Sequence, residues 1–147
     1  MSAGPGCQPT HEGQRWQIEL PGSEIARIEQ SGRSLVVVLS AARVGGDRRQ
    51  LDPALSGGHL QGVRWHLLEA SWTGEPSALM GRIDEAEWGK GSARATPGPM
   101  MLSAPSSGGE VVRLALRTAM GDTLEVRAQG WRVELIGGGR FSPSMAC

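Results

Sequence analysis

Hydrophobic and polar residues alternate with a period of two along much of this chain. In Val112-Arg113-Leu114-Ala115-Leu116-Arg117 the apolar Val112, Leu114 and Leu116 point one way, and Arg113, Ala115 and Arg117 the other. Leu124-Glu125-Val126-Arg127-Ala128, Trp131-Arg132-Val133-Glu134-Leu135 and Val63-Arg64-Trp65-His66-Leu67 repeat the pattern. Such alternation is the mark of antiparallel strands with one face in water. Less regular strands are predicted at 16–20, 24–29 and 34–44, and a short one at 79–83. The run Leu35-Val36-Val37-Val38-Leu39 is apolar on both faces, which predicts a central strand covered on each side. No segment carries apolar residues at helical spacing over a helix's length. The one helical expectation is a short turn at 52–55, where Asp52 caps and Pro53 takes the first position.

Glycine and proline supply 31 of the 147 residues, so turns punctuate the chain heavily. Loops are predicted at 45–58 and 89–109. The second is rich in Gly, Pro and Ser but contains Met100-Met101-Leu102, so a short strand is expected around 99–103. Residues 1–14 and 139–147 read as tails around one domain, 15–138. Seven to nine strands without helix predict an all-β, antiparallel sandwich or barrel. Gly32-Arg33-Ser34-Leu35-Val36-Val37 and Gly121-Asp122-Thr123-Leu124-Glu125-Val126 share a turn-then-strand pattern, and at the same offset Arg43-Val44 matches Arg132-Val133. Two similar β halves follow as an expectation.

Charge then narrows the function classes. Fifteen basic residues balance fifteen acidic ones, and no third of the chain departs from neutrality by more than two charges. Nucleic-acid binding draws most of its affinity from neutralising phosphates, so no nucleic-acid partner is expected. An anionic membrane surface is disfavoured for the same reason. No apolar run approaches the roughly 18 residues that span a bilayer, and the first residues carry no basic-then-apolar signal pattern. A cytoplasmic protein is the expectation. Fourteen of the fifteen basic residues are Arg, while Tyr and Asn are absent. That bias fits a GC-rich, bacterial genome. Cys7 and Cys147 stand near the two ends, without the spacing of a metal site.

Few residue constellations point to chemistry. His59 and His66 lie about 23 Å apart in an extended strand, too far to share a metal unless the strand bulges near Gly62. No metal or other cofactor is expected. Asp84, Glu85 and Glu87 form an acidic cluster that reads as a solvated edge. Arg48-Arg49 beside Gly45-Gly46 matches no phosphate-binding fingerprint. No G-x-S-x-G is present, and nothing in the sequence points to an enzyme. Five tryptophans accompany a single phenylalanine. Trp65 and Trp131 fall on apolar strand faces and are expected in the core. Trp16, Trp72 and Trp88 stand near strand ends, where an aromatic either caps the core, the first expectation for each, or lines a ligand mouth or anchors a partner.

The reading that follows is a small non-catalytic binding domain whose partner is a protein or a second copy of itself, a dimer being the simplest case. Trp72 and Trp88 are its candidate contacts. Truncating either to Ala is then expected to weaken association more than it lowers the melting temperature. The alternative is a β-barrel that carries or transforms a small-molecule ligand, with Arg64, His66 and Glu69 at its rim. A hollow interior would favour it, and a filled one counts against it. A third option is a structural part of a larger assembly, with an uncovered edge strand or a large apolar patch.

Overall fold

The alternating segments become strands. The computed structural model describes residues 16–44, 58–90 and 101–142. It contains β1 (Trp16–Ser31), β2 (Ser34–Val44), β3 (His59–Gly74), β4 (Gly81–Lys90), β5 (Met101–Ala104), β6 (Ser106–Gly108), β7 (Val112–Thr118) and β8 (Thr123–Ser142), with one 3-10 turn at Pro76–Ala78. The expected turn at 52–55, Arg48-Arg49 and both cysteines lie outside the described residues. The strand expected around 99–103 is β5, and β8 runs on past residue 138 to Ser142.

Every strand pairing is antiparallel. Six strands close a ring in the order β1–β2–β3–β8–β7–β4, with β4 returning to β1. Closure gives each of these strands a neighbour on both sides, which removes the free edges an open sheet would present. Two short strands complete the sheet. β5 pairs with residues 16–19 of β1, and β6 pairs with residues 131–133 of β8. Residues 101–108 therefore bridge β1 and β8 beyond the stretch that β4 and β7 occupy. The two hairpins with similar sequence, β1–β2 and β7–β8, sit on opposite sides of β3 and β4 in the ring.

Strands this long must bend to close a ring, and the bends have identifiable residues. Pro21-Gly22 reads in the sequence as a break between two strands. In the structure it is a bulge inside β1, where the register with β2 shifts between Glu19 and Glu24. Proline lacks the N–H that a ladder needs, so a bulge is where a strand tolerates it. The Ser23 side chain repairs the gap: its Oγ donates to the Glu19 carbonyl at 2.7 Å and accepts from the Arg43 N–H at 2.9 Å. β3 has its own register shift between Gln61 and Val63. Gly62 sits there at φ +83, and a Cβ would lie 2.8 Å from the Ile136 carbonyl oxygen. Only glycine fits both the angle and the approach.

Farther along, β3 and β8 turn a corner together. Buried positions in β3 run 63, 65, 67, and the next residues packed against the core are Ala70 and Trp72. In β8 they run 124, 126, 128 and then 131, 133. Both strands exchange their inward and outward faces between Leu68↔Gly130 and Ala70↔Ala128. Glu69 is the residue that makes the switch in β3, at φ +45. The neighbouring Ala70 N–H donates to the Arg33 carbonyl at 2.6 Å, which ties this corner to the β1–β2 turn.

The ring interior is occupied by side chains. Trp16, Trp65, Ile18, Leu20, Leu35, Leu39, Leu60 and Leu67 are among the fully buried residues. Val36 and Val38, expected under cover on their own face, are half-buried, while Leu35, Val37 and Leu39 are buried. β2 is thus covered fully on one face only. Trp88 stands edge-on to two other rings: its centroid lies 4.9 Å from Trp65 at 82° and 5.6 Å from Trp131 at 80°. Edge-to-face contacts of this kind are favourable for aromatic pairs. No helix among the described residues is long and apolar enough to cross a membrane.

Candidate functional site

Antiparallel register places Arg64 and His66 on the outer face of the ring. Arg64 stands opposite Val38 and Glu134, and His66 opposite Val36 and Arg132. Glu134 Oε1 accepts a hydrogen bond from His66 Nε2 at 2.7 Å, and its other oxygen is 3.9 Å from Arg132 Nε. The hydrogen bond from His66 lowers the Glu134 carboxyl below its ordinary value of 4.5, with smaller help from the nearby Arg132 and Arg64. On β1, Arg27 Nε bonds Glu29 at 2.7 Å and lowers that carboxyl likewise. Arg27 with Glu29 on β1, and His66 with Glu134 and Arg132 across β3 and β8, are therefore two ion-paired groups on the outer face that carries Val36 and Val38, with Arg64 between them in register. Together they make a net positive lattice on the outside of the ring, with three arginines against two glutamates.

This lattice has a pH signature. A carboxyl whose folded-state pKa is depressed adds stability above its unfolded pKa and loses it as pH falls through the folded one. Glu134→Gln removes that contribution. The melting temperature of wild type is expected to exceed that of Glu134→Gln at pH 6, with the gap closing between about pH 5 and pH 3. A gap that stays constant across that window would show that Glu134 gains nothing from His66 in the folded state.

The remaining predicted contacts separate. Trp88 is only 6% exposed, and its ring belongs to the interior. The expectation of a surface anchor does not fit that position. Trp72 is half-buried, packs against the core and also lines an open groove. Glu69 is exposed, and its visible part in the architecture is the corner conformation described above. Trp72 lines that groove without Arg64, His66 or Glu69 among its described residues. His59 pairs with Arg43 and Ser142, at the far end of β3 from His66. No group of three or more His, Cys, Asp or Glu able to hold a metal occurs among the described residues.

Two grooves lie side by side on the outer face of β4, β7 and β8. The first, about 590 Å³, is lined by Ser71, Trp72, Thr73, Arg113 and Arg127, with Glu87 and Glu125 at its other side. The second, about 700 Å³, adjoins it through Glu87, Ala115 and Glu125 and reaches Asp84, Glu85 and Arg117. Register orders these side chains in rows across the strands. Arg127 stands opposite Arg113, Glu125 and Glu87 flank Ala115, and Arg117 lies between Thr123 and Glu85. A bulge between Ile83 and Glu85 brings both Asp84 and Glu85 to Arg117, at 3.6 and 3.0 Å. The first row is thus positive and the next two are net negative.

In the sequence the acidic cluster and the two alternating strands stand apart, and nothing local joins them into this face. Part of the signal is present. The 118–123 turn makes β7 and β8 a hairpin, and in that hairpin partner numbers sum to 240, so 113 faces 127. The contribution of β4 was not legible, because its partner in the ring is set by closure rather than by sequence adjacency. The chain matches no family model, no curated protein and no solved structure.

Proposed function

We propose that this chain is a small non-catalytic binding domain that meets a protein partner through the outer face of β4, β7 and β8. The observation that carries the reading is where open space and charge occur. The inward positions of the ring are filled by tryptophans and aliphatic residues. Among the described residues, two grooves open instead on the outside, over ordered rows of Arg and Glu, with Trp72 in the wall of the first. A filled core counts against the carrier reading, which needs the inward residues to line a ligand cavity. A polar, ordered outer face suits protein recognition, where charge pattern sets specificity and approach rate. The balanced charge of the whole chain supports a protein partner over nucleic acid. A cytoplasmic, bacterial setting remains part of this proposal.

Native mass spectrometry of gently purified protein, without chelator, tests it. The expected result is the 15.6 kDa chain mass or a whole multiple of it. A small fixed mass increment on every molecule would mean a retained ligand or ion and would overturn the reading in favour of the carrier.

A further inference from the structure

The rows on the β4–β7–β8 face are complementary to themselves. Arg113 and Arg127 stand directly opposite each other on adjacent strands, a repulsive arrangement. Neither has an ion-pair partner among the described residues. One row along the strands, Glu87 and Glu125 flank Ala115, again unpaired among the described residues. All four are exposed, and the small Ala115 between the two acids leaves the centre of the face low.

We infer that a second copy of this chain docks face to face on this surface, through a twofold axis that runs across the strands between the Arg row and the Glu row. This rests on the binding-domain reading and names its partner. Such an axis lays the Arg row of each copy on the Glu row of the other. Arg127 of one copy then meets Glu125 of its partner, and symmetry repeats the contact. Arg113 lies over the hollow at Ala115, between the two acids of the partner's row. The repulsion within each row, unfavourable in the monomer, becomes attraction across the interface. An acidic peptide or a polyanion fits less well, because Glu87 and Glu125 would repel it as it lay along the same groove. A basic partner meets the converse obstacle at Arg113 and Arg127. Only a partner with both rows satisfies both, and the chain itself carries them.

Charge pairing at exposed positions makes a weak, salt-sensitive dimer rather than an obligate one. The test is sedimentation equilibrium at low and at high salt on three proteins: wild type, Arg113→Glu with Arg127→Glu, and Glu87→Arg with Glu125→Arg. Wild type is expected to dimerise at low salt, with a dissociation constant at least about tenfold higher in 0.5 M salt. Each double variant alone is expected to stay monomeric, because its first two rows then carry the same sign. An equimolar mixture of the two is expected to restore a dimer, now of one copy of each. That rescue also shows that both variants are folded. Three results would each overturn the inference: wild type monomeric at low salt, either variant dimerising as wild type does, or a mixture that stays monomeric. Wild type that is monomeric but bare in the mass spectrum removes the second copy and leaves the binding domain standing. A fixed mass increment removes the binding-domain reading itself.

Discussion

Trp88→Ala is expected to lower the melting temperature by roughly 10–20 °C and to leave any self-association of the still-folded protein unchanged. The ring is 6% exposed and bridges Trp65 and Trp131 edge-on. Truncating a buried tryptophan costs about 3–5 kcal/mol through lost transfer energy and the cavity left behind. Two edge-to-face contacts, worth roughly 0.5–1.5 kcal/mol each beyond area burial, disappear with it. Against a typical domain stability of about 5–15 kcal/mol, that is a large share. Trp88→Phe keeps an aromatic between the other two rings and is expected to recover at least half of the loss. Thermal denaturation followed by circular dichroism reads all three proteins. A melting temperature for Trp88→Ala within about 3 °C of wild type would mean that the ring does not fill the interior.

Trp88 also shows where sequence reading stops. Its neighbours Glu85 and Glu87 mark a solvated strand, and Ile83 and Trp88 are five residues apart, so strict alternation puts them on opposite faces. Both are buried. The bulge between Ile83 and Glu85 supplies the extra residue that turns Trp88 inward. A bulge with no glycine or proline leaves no local mark in a sequence. The contrasting cases are β7 and the first half of β8. There the alternation meets no bulge, and Val112, Leu114, Leu116, Leu124, Val126 and Ala128 are all buried, as their spacing predicts. The β3–β8 corner is intermediate. Gly130 hints at it, but Glu69, a residue that rarely takes positive φ, carries half of the switch. The all-β class was legible because it depends on local period. Ring closure was not, since it joins β4 to β1 across 55 residues.

The same limit applies to the glycines: a sequence shows where they are and not which of them touch a ring. Gly108→Ala is expected to destabilise the fold by about 1–3 kcal/mol or more, as forced overpacking does. Gly108 is the register partner of Trp131 in the β6–β8 pairing. A Cβ built on it would overlap Trp131 Cη2 and Cζ3, deep inside contact distance. The indole lies over the glycine because nothing projects there. It has little freedom to retreat, being packed against Trp88 and bonded through Nε1 to Ser106 Oγ at 3.4 Å. Ser106 in turn donates to the Ser103 carbonyl at 2.6 Å, so the bridging stretch and the ring hold each other in place. The contact can be isolated from the rest of the core by a double-mutant cycle. Trp131→Phe lacks the two carbons that the new methyl would strike. Once that ring is shortened, Gly108→Ala is expected to cost much less, giving a coupling of about 1 kcal/mol or more between the two sites. Urea unfolding of wild type, both single variants and the double variant measures it. Additivity within about 0.5 kcal/mol would mean that the indole does not rest on Gly108, and that the bridge across β1 and β8 is packed in another way.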